Sequence, residues 1–204
     1  MFHVALTGNA AAGKSAVADL LRDWGATIID ADAIVRALQQ PGTAVFEAIV
    51  ARFGPAVLAG DGTLDRAALR ARVLADPGER RTLEAIVHPA VEAERQRLLL
   101  EARGSAEAIA VSDIPLLFEV MDPAGFDAVV LVAAPESLRL ERLVRLRRLP
   151  EREAAALIAA QLPAEAKRAR ADFVIDNDGT REALRDRTWM VWRKLRSRAR
   201  SSAR

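Results

Sequence analysis

An eight-residue stretch near the amino end, Gly8-Asn9-Ala10-Ala11-Ala12-Gly13-Lys14-Ser15, constrains the fold more than any other part of the chain. It has the spacing G-x-x-x-x-G-K-S/T at every fixed position. The apolar run before it, residues 2–7, predicts a buried strand, and the pattern of residues 14–24 predicts a helix. A strand, a glycine-framed loop and a helix in this order indicate an α/β fold with a parallel sheet.

The chemistry of this loop suits a phosphate. Gly8 and Gly13 allow a tight turn whose backbone N–H groups converge on an anion, and the following helix directs its partial positive end to the same point. Lys14, one of only three lysines in the chain, adds a full charge near the β- and γ-phosphates, and the Ser15 hydroxyl can bind Mg²⁺. We therefore predict a P-loop NTPase fold in which this loop binds a nucleotide together with Mg²⁺. The predicted nucleotide-binding residues of the loop are Gly8, Asn9, Ala10, Ala11, Ala12, Gly13, Lys14, Ser15 and Ala16.

Short apolar runs alternate with helical patterns along the rest of the chain. The predicted strands are 2–7, 26–30, 108–113, 127–133 and 172–176. The predicted helices are 14–24, 31–39, 44–53, 65–75, 79–103, 136–161 and 180–200. Since continuously apolar short strands are typical of parallel sheets covered on both faces, we expect a five-stranded parallel sheet flanked by helices.

Two segments between strands are too long for simple crossovers. Residues 36–105 predict a helical, substrate-binding insert. Residues 138–170 are rich in arginine and predict a helical hairpin that turns near Leu149-Pro150. An arginine-rich hairpin of this kind is typical of a kinase lid, where arginines close over the phosphates and neutralise transition-state charge. The basic end, residues 197–204, is expected to fray.

Composition excludes several classes of protein. The chain has no cysteine, which rules out disulfides, thiolate metal sites and cysteine nucleophiles. The longest apolar run, residues 128–134, is too short to span a bilayer, and no signal peptide is visible, so we expect a cytoplasmic protein without a membrane partner. A net charge of +2 with a pI near 9.6 suits anionic small molecules and does not require nucleic acid. We expect a monomer or a weak oligomer.

Acidic residues follow the second predicted strand, in the segment IIDADAIVR (28–36). Ligands of α/β proteins bind at the carboxyl ends of the strands. Asp30 is expected to cap the next helix, and Asp32 is expected to accept the proton of an attacking hydroxyl or to hold the magnesium shell. Arg36, one turn after Asp32, projects from the same helical face and is a candidate for a substrate phosphate. Asp113, which ends the third strand, is a second candidate for the Mg²⁺ shell, through a bound water.

Several ordered segments resemble one family. These segments are LTGNAAAGKS, IIDADAIVR, DGTLDRAALR, LEAIVHP, IPLLFE and ADFVIDNDG, and their order over residues 2–180 is similar to that in the dephospho-CoA kinases. The resemblance implies transfer of a phosphoryl group from ATP to the ribose 3′-hydroxyl of dephospho-CoA, with a helical CoA-binding insert and a lid. It also implies that the nucleotide bound by the loop is ATP and that Lys14 and Asp32 are the catalytic residues. Asp32 would be the general base, and Asn177 would lie in the adenine pocket.

The resemblance assigns further residues to the two ligands. Arg142 and Arg145 are predicted to bind ATP. The predicted substrate-binding residues are Asp32, Arg36, His88, Pro115, Leu116, Leu117 and Glu119. Two of them have an ordinary structural alternative: His88 as a histidine at a helix boundary, and Glu119 as a member of an ion pair.

Three features depart from the family pattern. Asn9, Ala11 and Ala16 stand where the family loop commonly has Gly, Gly and Thr, so Ala11 must adopt backbone angles that a side chain tolerates. Leu146 stands where the family has its second lid arginine, which leaves Arg145 or Arg147 to replace it. Asp113 stands where family members often have an apolar residue.

Other functions fit parts of the sequence. GTPases read guanine with N-K-x-D, which is missing, and DPAG (122–125) is predicted to be a turn rather than a switch. The alternatives kept open are a P-loop kinase for another nucleotide or small hydroxyl acceptor, and a non-catalytic protein that binds nucleotide or nucleic acid through its basic end. The spacing of Trp189 and Trp192 favours packing on the core over base stacking.

Overall fold

The computed structural model describes residues 1–104, 108–120 and 122–202. The strands are β1 (Phe2–Gly8), β2 (Thr27–Asp30), β3 (Ile109–Asp113), β4 (Ala128–Ala133) and β5 (Phe173–Asp176). The helices are α1 (Lys14–Asp23), α2 (Ala31–Leu38), α3 (Ala44–Phe53), α4 (Arg66–Ala75), α5 (Pro77–Ala102), α6 (Leu117–Val120), α7 (Glu136–Arg147), α8 (Glu151–Ala159), α9 (Ala164–Arg168) and α10 (Arg181–Ser202).

The strands form a single sheet with the order β2-β3-β1-β4-β5. Strand β1 pairs in parallel with β3 on one side and with β4 on the other, and β4 pairs in parallel with β5. Strands β3 and β4 are buried along their whole length, and the sequence of β4 is accordingly a continuous apolar run. The predicted parallel sheet of five strands flanked by helices is confirmed.

The sheet belongs to a compact unit made of Met1–Ile29 and Leu99–Arg204. Successive residues of β1 point to opposite faces of the sheet. Val4 and Leu6 contribute to the main core cluster, which also contains buried residues of α1 and α10. Ala5 lies on the other face, in a cluster with Leu117 and Phe118. Both faces of β1 are thus covered, which holds the carboxyl end of this strand in a fixed position.

The second compact unit, Asp30–Leu98, is helical. Its core is an apolar cluster built from α3, α4 and α5 around Ile49, Phe53 and Val87. Side-chain oxygens of Asp30, Thr43 and Asp65 cap the helices α2, α3 and α4. The predicted cap at Asp30 is confirmed, since its carboxylate accepts from Ala33 N at 2.9 Å. The unit overlaps the predicted insert at 36–105, whose role in binding the substrate stays a prediction.

Helix α5 continues through Pro89, although proline removes a helical hydrogen bond. Val87 and its neighbours Ala90 and Val91 pack on the apolar cluster of the unit, so tertiary contacts hold the helix together. The alternative that His88 lies at a helix boundary is therefore wrong: it lies inside α5 and is exposed.

The structure defines the ends of two other predicted helical segments. The arginine-rich segment contains α7 and α8, which are separated at Leu149-Pro150 as predicted, and also the short helix α9, which a two-helix hairpin does not include. Helix α10 continues to Ser202 because Leu195 and Ala199 extend its buried face. The expectation that the chain frays from residue 197 is corrected for residues 197–202, and residues 203–204 lie outside the described part. Within the described part of the chain, every helix is too short or too polar to cross a bilayer.

Candidate active site

The loop between β1 and α1 depends on glycine at both ends. A Cβ on Gly8 would lie 2.6 Å from the backbone oxygen of Val132 in the neighbouring strand. Gly13 has a φ of +95°, and a Cβ there would lie 2.0 Å from the side-chain nitrogen of Asn177. Only glycine fits both positions, so the two fixed glycines of the motif are explained by backbone geometry.

Ala11 has a φ of 58°, in the left-handed region that side chains rarely occupy. This conformation costs roughly 1–2 kcal/mol in a residue other than glycine. The Arg142 guanidinium donates to the Ala11 carbonyl at 3.2 Å, and Ala12 N donates back to the Asn9 carbonyl at 3.0 Å. These bonds hold the loop in its curved shape and support Ala11 in a backbone conformation that glycine adopts more readily.

Lys14 forms an ion pair with Asp113 at the carboxyl end of β3. Strand β3 lies beside β1, with Leu6 opposite Asp113, so the sheet itself brings the carboxylate to the loop. Both side chains are largely buried, which strengthens their attraction. Ser15 follows Lys14 in the first turn of α1 and is exposed.

The oxygen donors of this region suit Mg²⁺. The ion prefers carboxylate and hydroxyl oxygens and commonly completes its shell with water and substrate phosphates. The Asp113 carboxylate contacts Lys14, which precedes Ser15 in the chain. The residues present therefore fit a magnesium ion held in part by a nucleotide.

Arg142 and Asn177 connect the phosphate loop to the segment that follows β5. The Asn177 side chain donates to the Ala12 carbonyl at 2.8 Å, and Arg142 donates to the Asn177 carbonyl at 3.1 Å. Arg187 fixes the same segment by donating to the Asp176 carbonyl at 2.6 Å and to the Asp178 carboxylate, a bond that lowers the pKa of Asp178. Sequence reasoning missed Arg187, because no motif marks it.

Of the arginines of α7 considered for ATP, Arg142 contacts the loop in this structure. Arg145 forms an ion pair with Glu141 at 3.4 Å, and both side chains are exposed. Leu146 is also on the surface, at 67% exposed. The role of Arg145 in binding ATP stays a prediction.

The segment IPLLFE does not present all of its predicted residues to solvent. Pro115 and Leu116 are exposed, whereas Leu117 is fully buried against the apolar core. A contact between the Leu117 side chain and a substrate is therefore corrected to a packing role. Glu119 forms an ion pair with Lys167 at 2.6 Å, which is the structural alternative considered for it.

Asp32 and Arg36 belong to the helical unit Asp30–Leu98. Asp32 lies in the first turn of α2 and is exposed. Arg36, one turn later, lies 3.7 Å from the Asp30 carboxylate, and both are at least partly exposed. The proposed base and phosphate ligand are therefore both accessible to a substrate.

The two left-handed glycines Gly13 and Gly25 give a matched test of the loop. Alanine at Gly25 is expected to lower the free energy of unfolding by about 1 kcal/mol, because its φ is +100°. Alanine at Gly13 is expected to lower it further, because the added Cβ would also displace the buried Asn177 side chain. Gly25 has nothing within 4 Å of the added Cβ, whereas Gly13 meets Asn177. We therefore expect Gly13→Ala alone to weaken ADP binding, by roughly tenfold or more.

Urea unfolding and calorimetric titration with ADP measure the two effects. Equal ADP affinity in both alanine variants would contradict the account of this loop.

Comparisons with known proteins agree with this geometry. The dephospho-CoA kinase family model matches residues 2–183. The dephospho-CoA kinase of Anaeromyxobacter dehalogenans is 50% identical over 181 residues, covering 89% of this chain and 86% of the relative. That of Symbiobacterium thermophilum is 47% identical over 190 residues, covering 93% and 80%. The crystal structure of TT1252 from Thermus thermophilus superposes with a TM-score of 0.73 at 36% identity, covering 95% of this chain and 97% of the other. The chain belongs to the dephospho-CoA kinase family.

Proposed function

We propose that the chain transfers the γ-phosphoryl group of ATP to the 3′-hydroxyl of dephospho-CoA, giving CoA and ADP. The observation that carries this proposal is the loop 8–15, with its two obligatory glycines and the Lys14–Asp113 pair, in a chain matched by the family model over residues 2–183.

The nucleotide is bound by the unit that contains the sheet. The amino end of α1 and the Lys14 ammonium hold the β- and γ-phosphates, and Asn177 borders the adenine. Ser15 and Asp113, the latter through water, would hold Mg²⁺. When bound, this ion neutralises charge on the phosphates. The protein's contribution is then positioning and electrostatics, which dominate phosphoryl transfer.

The acceptor is bound in part by the helical unit Asp30–Leu98. Asp32 accepts the proton of the attacking 3′-hydroxyl, and Arg36 holds a phosphate of dephospho-CoA. His88, Pro115 and Leu116 contribute contacts to the acceptor; all three are exposed. We also propose that the protein works in the cytoplasm as a monomer or weak oligomer.

A panel of acceptors tests the assignment. ADP release is measured in a coupled assay with ATP, Mg²⁺ and one acceptor at a time: dephospho-CoA, AMP, adenosine or glycerol. We expect dephospho-CoA to give the highest kcat/KM, because the 69-residue span of the helical unit is larger than a small acceptor needs. Faster turnover with AMP or another small acceptor, and none with dephospho-CoA, would favour the other P-loop kinase function.

A further inference from the structure

The turn between α8 and α9, residues 160–163, lies against the first half of the phosphate loop. Ala10 N donates to the side-chain oxygen of Gln161 at 2.9 Å. The neighbouring residues are also joined: the side chain of Asn9, which precedes Ala10, donates to the carbonyl of Leu162, which follows Gln161, at 3.0 Å. Asn9 is only 6% exposed, so its side chain is committed to this contact rather than to solvent. Two adjacent hydrogen bonds therefore join the loop to the turn.

The turn is itself anchored to α6 and α9. Leu162 N donates to the Glu119 carboxylate at 3.3 Å, and the same carboxylate oxygen lies 2.6 Å from the Lys167 ammonium. Lys167 is fully buried, and breaking a buried pair leaves an uncompensated charge, so the pair resists separation. The hydrogen-bonded path runs from the loop through the turn to this ion pair.

The second half of the loop is held from another direction, by Arg142 and Asn177 at the carbonyls of Ala11 and Ala12. The loop is thus fixed at both halves by groups other than a nucleotide. A loop fixed in advance loses less conformational entropy when a ligand binds, which improves affinity.

We propose that Gln161 is a positioning residue for the phosphate loop, and that Asn9 reinforces it in this chain. This inference rests on the proposed function. Gln161 satisfies the Ala10 N–H and holds the first half of the loop against the anchored turn before ATP binds. Asn9 adds a second hydrogen bond, from its side chain to the Leu162 carbonyl, beside the bond that Gln161 makes. The turn is accordingly a fixed wall of the ATP site.

The variant Gln161→Met tests this role, because methionine keeps the length of the side chain and loses the strong acceptor. We expect the KM for ATP to rise by about 2–10-fold, the effect of one net hydrogen bond, with kcat and the KM for dephospho-CoA nearly unchanged. We also expect the amide hydrogen of Ala10, followed by NMR in the nucleotide-free protein, to exchange faster by a similar or larger factor. If Gln161 had only a structural role, its replacement would leave the exchange at Ala10 unchanged and would not raise the KM for ATP selectively.

Two further variants complete the experiment. Asn9→Ala is expected to raise the KM for ATP in the same direction, since it removes the neighbouring bond. Lys194→Met, on the exposed side of α10, carries the same new side chain away from the loop and is expected to behave as the wild type.

Unchanged Ala10 exchange in Gln161→Met would overturn the proposal. So would tighter ATP or ADP binding in that variant, because Gln161 would then compete with phosphate for the Ala10 N–H. The exchange measurement needs no substrate, so it tests the inference even if dephospho-CoA proves not to be the acceptor.

Discussion

Replacing Lys14 with alanine is expected to lower kcat by roughly 100-fold or more, because a preorganised charge on the transferring phosphoryl group is lost. The loss is expected mainly in kcat. As the bond to the γ-phosphorus breaks, negative charge moves onto the leaving β-phosphate, and the Lys14 ammonium stabilises this charge more in the transition state than in the ground state. Steady-state kinetics at saturating ATP and dephospho-CoA measure it.

The folding of this variant needs its own control, because Lys14 also pairs with the buried Asp113. Lys14→Gln removes the charge but keeps a hydrogen-bond donor toward that carboxylate, so it is expected to fold and to lose activity to a similar extent. Lys194→Ala removes an exposed ammonium from α10 and is expected to leave kcat unchanged. A Lys14→Gln enzyme that folds and turns over at the wild-type rate would refute the role of this lysine.

Replacing Asp32 with asparagine is expected to lower kcat by about 100–10,000-fold, the range over which a positioned general base contributes. Asparagine keeps the shape of the side chain and removes the base, so the KM for ATP is expected to stay within about twofold of the wild type. Asp32 is exposed in the first turn of α2, where loss of its charge costs only about 0.3–1 kcal/mol of helix stability.

Asp186→Asn, on the exposed side of α10, makes the same chemical change outside the proposed site. It is expected to keep the wild-type kcat. Should Asp32→Asn retain full activity, another group must take the proton from the acceptor hydroxyl.

The parts of the fold that sequence could predict are those set by local pattern. The motif at 8–15, the apolar strands and the cap at Asp30 depend on residues close together in the chain, and their positions agree with the structure to within a few residues. Helix α5 is the instructive case: its apolar spacing predicts a helix through Pro89, although proline by itself predicts a break. The packing of Val87 and Val91 decides in favour of the helix.

Contacts between distant parts of the chain could not be predicted in the same way. Gln161 lies 151 residues from Ala10 in sequence, and a lone glutamine after a helix carries no motif. The burial of Leu117 depends on which side of a four-residue helix meets the sheet, and so few residues show no clear periodicity. The sequence offers an ion pair as one of two roles for Glu119 but does not identify its partner, which the structure shows to be Lys167.

The most direct measurement is analysis of the products formed by the protein with ATP, Mg²⁺ and dephospho-CoA, by liquid chromatography and mass spectrometry. The account predicts that ADP and CoA form in equal amounts, with the new phosphate on the ribose 3′-oxygen. Unchanged dephospho-CoA alongside consumed ATP, or a phosphate attached elsewhere on the acceptor, would contradict it.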